Sequence, residues 1–237
     1  MSILKSLEFN GSGGSLTVAW NRAELTRLLY ERFSLWAPFR SAIQQNREVP
    51  APKESTLSEI FRMATASGQL TPAHSGHLPS GGEARRYFLG GWLEEFIAIA
   101  LDEAGCHDVR FSQKVTWRAA TDGSWHENEL DAVARWRDRL VLVSCKAAAN
   151  EALSRRSGEK RLFDALLELS YWNAHFGDGK ALPILVTTAD FYDETARRFR
   201  SPRLVERARV MDLAIIPADF GNWRSFQTHL TKLLETA

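Results

Sequence analysis

The chain has 237 residues, 44% of them hydrophobic, and a formal net charge of +1. That length suits one large domain, or a main domain with a small appendage, around a buried core. The near-neutral balance excludes a globally basic nucleic-acid binder, so any phosphate-contacting surface has to be local, and two cysteines, Cys106 and Cys145, exclude a disulfide scaffold and a Cys-rich zinc site.

The first ten residues are compatible with a short strand, and Gly11–Ser15 reads as a flexible loop. Leu25, Leu28, Leu29, Phe33 and Leu35 recur near helical spacing, which predicts a helix from about Asn21 to Gln45 that Pro38 breaks or restarts. Val49–Lys53 holds two prolines and reads as a linker. Ser55 or Thr56 is placed to cap a helix that Gly68 ends. Thr71–Gly82, rich in Pro, Ser, Gly and His, reads as a boundary loop. His74 and His77 lie three apart in it, without the supporting ligands that a metal site needs. The expectation for residues 1–80 is a helical N-terminal region, winged-helix-like in outline.

From Gly90 onward the pattern sharpens. Trp92, Leu93, Phe96, Ile97, Ala100 and Leu101 make an apolar helical stripe stopped at Gly105. Val109 to Trp117 is a strand, Asp122-Gly123-Ser124 a turn, and Leu130, Ala132 and Ala134 alternate along a second strand. Leu140–Val143 is a continuous apolar run, as in a central buried strand, and it ends in Ser144-Cys145-Lys146. A helix over 157–176, a strand over 182–188, a short basic helix over 194–200, a strand over 210–216 and a helix over 223–234 follow. This order predicts an α/β domain over 81–237, with a mixed sheet flanked by helices. No apolar run approaches ~20 residues, so no transmembrane helix is expected. No basic-then-apolar leader opens the chain either, which leaves a cytoplasmic protein with no membrane partner as the expectation.

Asp131 and Lys146 lie on strands joined by the tight connection at Arg137-Asp138, so both reach one edge of the sheet. A carboxylate and an ammonium are costly to bury without partners. Together they suit phosphodiester hydrolysis, in which a hard divalent cation takes one or two carboxylates, keeps several waters and meets the phosphate. Asp131 would hold the ion, the Cys145 backbone carbonyl could add an oxygen, and Lys146 would face the water or the phosphate. A third acid comes from the helix before the sheet, where Glu94 and Glu95 flank the apolar stripe almost symmetrically. Periodicity alone does not choose between them.

The runs Gly90-Gly91-Trp92-Leu93-Glu94-Glu95-Phe96, Asn128-Glu129-Leu130-Asp131 and Cys145-Lys146 resemble the PD-(D/E)xK nuclease superfamily. They look closest to the nuclease domain of CRISPR ancillary effectors that carry a CARF sensor, and Leu93-Glu94 with the following small and apolar residues also resembles Mrr-type restriction endonucleases. The resemblance implies a restriction-endonuclease-like αβββαβ core. It favours Glu94 over Glu95, assigns Glu94 and Asp131 to Mg²⁺ or Mn²⁺, and gives Lys146 the supporting role at the water and transition state. It implies a nucleic-acid substrate, DNA before RNA, and a homodimer. Two departures stand out. Ser144 occupies the place of the usual acid two residues before the lysine, a weaker oxygen that Glu127 or Glu129 would have to supplement. The length also leaves no space for a CARF domain, so the sensor sits on a separate chain, the sequence is truncated, or this branch works without one.

Arg155, Arg156, Lys160 and Arg161 form a basic stretch suited to phosphate contacts without sequence readout, and Arg197, Arg198, Arg200, Arg203, Arg207 and Arg209 form a second. Trp172 and Trp223 are the tryptophans to compare with any groove. The expected function is a metal-dependent endonuclease, acting in CRISPR-associated or other anti-phage defence. The competing reading, prompted by Ser144, is a degenerate nuclease fold that binds nucleic acid or protein without cutting.

Overall fold

The computed structural model describes residues 8–9, 13–118, 124–148, 153, 156–177, 179–217 and 221–236. The expected turn at 122–123, most of the N-terminal strand segment, Arg155 and Asp178 lie outside them.

The N-terminal region begins with β1 (Glu8–Phe9) and four short helices, α1 (Leu16–Asn21), α2 (Ala23–Glu31), α3 (Phe33–Trp36) and α4 (Arg40–Gln44). The single long helix expected over 21–45 is therefore divided at Arg22 and Arg32 as well as near Pro38, where residues 37–39 tighten into a 3₁₀ turn. The breaks let Leu25, Leu29, Tyr30, Phe33 and Trp36 bury against one hydrophobic cluster, which one straight stripe could not do. The 49–53 linker and the 71–82 loop also contain structure: β2 (Val49–Pro50), β3 (Leu70–Pro72) and β4 (Gly76–Pro79) form a three-stranded sheet in the order β2-β4-β3. Short strands rich in Pro and Gly escape a reading based on apolar alternation. Between them, α5 (Ser55–Ala66) begins after Glu54, with no side-chain cap from Ser55 or Thr56, and ends before Gly68, whose φ of 72° is the left-handed conformation that glycine takes readily.

The α/β core starts with α6 (Gly82–Arg86) and a π-helical turn over Tyr87–Gly91 that leads into α7 (Trp92–Glu103). Three strands follow, β5 (His107–Arg118), β6 (Trp125–Trp136) and β7 (Arg139–Lys146), then α8 (Arg156–Phe176) and β8 (Leu182–Thr187). This is the αβββαβ order expected. β5, β6 and β7 pair antiparallel in sequence, and β8 joins β7 in parallel. The expected basic helix over 194–200 is instead a hairpin of β9 (Tyr192–Asp193) and β10 (Arg198–Phe199). Arg200 fixes it by pairing with Asp190 at 2.8 Å and Asp193 at 3.1 Å. The helix comes later, as α9 (Pro202–Val210), where Ser201 caps and Pro202 occupies the first turn. The strand expected over 210–216 is shortened to β11 (Ala214–Pro217), parallel to β8, and α10 (Trp223–Thr236) closes the chain.

The main sheet runs β1-β5-β6-β7-β8-β11, which puts the apolar run of β7 in its interior. Two hydrophobic clusters cover its faces. One joins α7, α10 and the N-terminal helices to Ala132, Val141, Val143 and Ile184, and the other joins α8 and α9 to Leu130, Val133, Leu142 and Leu185. Trp172 packs inside the second cluster against Trp117, and Trp223 is half-buried with the Arg27 guanidinium 4.3 Å from its ring. No described helix is long and apolar enough to cross a membrane.

Candidate active site where the pairing of β6 and β7 ends

The β6–β7 ladder is paired up to Ala132 and Val143, and Asp131 and Ser144 stand opposite each other just beyond it. Freed from the ladder, the Cys145 amide donates to Asp131 Oδ2 at 2.6 Å. Ser144 Oγ donates to the same oxygen at 3.0 Å, and Lys146 Nζ at 2.9 Å. Three donors on one carboxylate oxygen fix Asp131, and its other oxygen accepts no bond among the described residues. Asp131 and Lys146 are each about one-fifth exposed, so the pair is sheltered but reachable. Burial pulls the Lys146 ammonium down, but the charge and hydrogen bond of Asp131 outweigh it and hold the ammonium above its ordinary range.

Glu94 and Glu95 point apart, as successive residues on a helix must. Glu95 is buried and held by Arg22, whose Nε donates to Oε2 at 2.8 Å while Nη2 contacts Oε1. Glu94 faces the sheet and accepts a hydrogen bond from Ser112 Oγ. Ser112 lies on β5 opposite Asp131, between the pairs Phe111↔Ala132 and Gln113↔Leu130, and its φ of 45° turns the strand locally. Burial pushes the Glu94 carboxyl up to about 7; the Ser112 hydroxyl and the Arg86 guanidinium oppose the rise, and the Asp131 and Glu129 carboxylates reinforce it. Glu94 and Asp131 are thus brought within mutual electrostatic influence, each with a distinct hydrogen-bonding anchor.

The other expected residues divide. Glu129 stands on the site side, with Arg86 at 3.9 Å, whereas the more exposed Glu127 pairs with Lys114 at 3.5 Å on the neighbouring strand. Cys145 is buried, and its thiol, raised well above its ordinary range by burial and then by the Asp131 and Glu94 charges, keeps its proton. It is therefore inert as a nucleophile. Arg156, Lys160 and Arg161 are exposed on the first turns of α8.

Three residues join the site without having been singled out from sequence. Ser112 had no pattern to mark it. Glu168, on α8 beside the apolar stripe, accepts from Asn128 Nδ2 at 2.7 Å and lines a hollow of about 20 Å³ with Asp131, Ser144 and Trp172, room for about one water. Arg40 reaches across from α4, its Nη1 donating to the Ala147 carbonyl at 3.0 Å and its Nη2 to the Leu89 carbonyl, so it ties the end of β7 to the turn before α7.

Among the described residues no three His, Cys, Asp or Glu side chains cluster as a metal cage. The donors nevertheless fit a hard divalent ion. Mg²⁺ commonly takes only one or two carboxylates and keeps its waters, and Glu94, Asp131 and the Cys145 carbonyl are oxygen donors of that kind. A cation between Glu94 and Asp131 would also offset the burial, and the added Asp131 repulsion, that raise Glu94.

Residues 81–170 match the family model of the Card1-like endonuclease domain. No curated protein matches the chain. Among solved structures, protein VC1899 from Vibrio cholerae shares the fold with a TM-score of 0.68 at 17% identity, over 97% of this chain and 59% of that one. Can2 from Sulfobacillus thermosulfidooxidans, solved in complex with cyclic tetra-adenylate, gives a TM-score of 0.64 at 12% identity, over 97% of this chain and 58% of that one. The chain thus spans less than two thirds of the length of either structure, and identities this low speak for the fold alone. Over residues 81–170, the family model and the shared fold support the resemblance read from the motifs, to PD-(D/E)xK nucleases and the nuclease domain of CARF-linked CRISPR ancillary effectors.

Proposed function

We propose that this chain is a metal-dependent endonuclease that hydrolyses phosphodiester bonds in DNA, in CRISPR-associated or other anti-phage defence in the cytoplasm. The observation that carries the reading is the convergence on Asp131: Lys146 Nζ and the Cys145 amide bind one of its oxygens, and its charge is felt by Glu94. The endonuclease-domain match over the same residues supports it.

In this reading Glu94, Asp131 and the Cys145 carbonyl hold Mg²⁺ or Mn²⁺, which when bound supplies positive charge that acidifies water and offsets charge on the phosphate. Lys146 donates a hydrogen bond to a non-bridging phosphate oxygen, or orients the attacking water, as the new phosphorus–oxygen bond forms and the bond to the leaving oxygen breaks. Ser144 fixes Asp131 and offers a neutral oxygen where a carboxylate is usual. Arg86 and the Arg156, Lys160 and Arg161 stretch lie on the surface that a backbone would follow, and Arg155 belongs to the same stretch in sequence. We take residues 1–80 as a helical, winged-helix-like N-terminal region packed on the α/β core, and the active form as a homodimer. Any response to a cyclic nucleotide would reside outside the α/β core.

The test is cleavage of DNA and RNA with Mn²⁺ by the wild-type chain and by Asp131→Ala. Loss of products in the variant is expected, and equal products from both would sink the enzymatic reading. The second reading, a fold that binds without cutting, is favoured by Ser144 and by the absence of a three-acid cage among the described residues. It requires tight binding with no cleavage by wild type under any divalent ion, and that result would replace the first reading.

A further inference from the structure

α8 and α9 pack side by side, and the first turns of both face a cleft of about 280 Å³. α8 contributes Arg156 and Lys160, α9 contributes Arg203 and Arg207, and Phe163 and Leu204 form the floor. The one carboxylate in the lining, Glu159, is engaged by the Ser201 hydroxyl. The second basic run seen in sequence is therefore split by the fold. Arg200 is neutralised by Asp190 and Asp193, and Arg209 pairs with Glu206 at 3.2 Å. Arg156, Arg203 and Arg207 make no ion pair among the described residues. Arg207 lies 4.0 Å from the centre of the Phe163 ring, which holds its guanidinium in the cleft wall, and its N–H groups have no partner among the described residues. Lys160 meets Asp164 at 2.6 Å in an exposed pair of adjacent turns, the kind of contact that contributes little and exchanges readily for a phosphate.

We infer that this cleft binds the sugar-phosphate backbone of a nucleic acid and continues the site at Asp131 along α8. The inference rests on the nuclease reading above for what the bound strand is used for. Four cations converge where the positive ends of two helices meet, an arrangement suited to successive phosphates rather than to base edges. Position along α8 gives the spacing. Glu168 beside Asp131 lies eight residues after Lys160, about 12 Å along the helix axis, or between three and four base steps of a duplex strand. A strand seated at Asp131 thus reaches the cleft within about four nucleotides, and Arg161 lies between the two. Its charge adds to burial in lowering the guanidinium of Arg40, the residue that grips the carbonyl after Lys146.

The test is fluorescence anisotropy with the full chain and labelled DNA of about 30 nucleotides, without divalent metal so that nothing is cut, over a series of NaCl concentrations. Arg156→Ala combined with Arg203→Ala is expected to weaken binding about tenfold. Its plot of log affinity against log salt should be shallower by about 1.4 to 1.8, as loss of two phosphate contacts requires. The matching Arg156→Lys with Arg203→Lys variant keeps the charges and should retain most of the affinity and slope. Unchanged affinity and slope in the alanine variant overturn the inference, and so does an equal loss in the lysine variant, which would mark a folding effect. Hydrolysis of bis(4-nitrophenyl) phosphate by wild type with Mn²⁺ reads the nuclease reaction separately, because that diester is too small to span both places. Wild type inert toward it and toward DNA would end the nuclease reading, while the binding curves still decide the cleft.

Discussion

Replacing Glu94 by Gln offers the most direct check on the site. Burial first, and then the Asp131 and Glu129 charges, raise the Glu94 carboxyl from an ordinary 4.5 to about 7 against the pull of Ser112 and Arg86. The folded chain therefore holds this proton more tightly than the unfolded chain does. The stabilisation is complete below about pH 4.5, falls as pH rises to about 7 and stays lost above it. A difference of that size corresponds to about 3 kcal/mol at most, less where solvent reaches the carboxylate. Glutamine keeps an acceptor for Ser112 and cannot ionise. Thermal unfolding without metal should give similar Tm values for wild type and Glu94→Gln near pH 5, with the variant roughly 5 to 10 °C higher at pH 8 for a chain of this size. Mn²⁺ at pH 8 should raise wild type more than the variant and narrow the gap. A gap that is the same at both pH values, or a wild type that is the more stable at pH 8, would refute the placement of a buried carboxylate held protonated here.

The remaining expectations use the same site and its supports. Binding of Mn²⁺ to wild type should tighten as pH rises toward about 7, where the metal-free Glu94 carboxyl becomes ionised, and a Kd from isothermal titration that is flat from about pH 6 to 8 would contradict that role. Lys146→Met should lower kcat about a hundredfold or more with KM little changed, whereas an equal rise in KM would show that it only binds substrate. Ser144→Glu should tighten Mn²⁺ binding about tenfold by isothermal titration, and Glu168→Gln should weaken it; neither change moving the affinity would remove both residues from the ion's surroundings. Arg22→Met leaves Glu95 buried without its partner and should cost about 3 to 5 kcal/mol in denaturant unfolding, much of it recovered in Arg22→Met with Glu95→Met; a single variant as stable as wild type would refute this.

The sequence made the α/β core legible because its elements are long and strongly patterned. The stripe from Trp92 to Leu101 and the run from Leu140 to Val143 can only be a buried helix and a buried strand, and they carry Glu94 and Lys146 to the same end of the sheet. The N-terminal region was less legible. Its strands are two to four residues long and contain Pro50, Pro72 and Pro79, so their pairing comes from neighbours rather than from alternation. The segment 194–200 reads as a helix because its arginines resemble a polar helical face, whereas the aspartates that fix the hairpin there, Asp190 and Asp193, act through Arg200 at a distance along the chain. Ser112, Arg40 and Glu168 enter the site through pairing register and packing between elements, which one residue's neighbours in sequence do not encode.

The division of labour between Glu94 and Glu95 shows how the N-terminal region bears on the site. Two adjacent acids on α7 point to different sides, so fixing one fixes the other. Glu95 is clamped by Arg22 at the junction of α1 and α2, Arg22 itself lies 4.4 Å from the Tyr87 ring, and Tyr87 shares a 2.8 Å hydrogen bond with Thr26 of α2. Arg40 makes a second tie, from α4 to the carbonyls of Leu89 and Ala147 on either side of the site. Both guanidinium clamps run from the N-terminal helices to the elements that bear Glu94 and Lys146. The π-helical turn just before α7 breaks the helical run at Gly90, so α7 does not take its rotation from α6, and core packing of its nearly all-round buried surface fixes it together with these clamps. The helical N-terminal region therefore does more than cover apolar surface: its two guanidinium clamps help to hold α7 as it presents Glu94 toward Asp131.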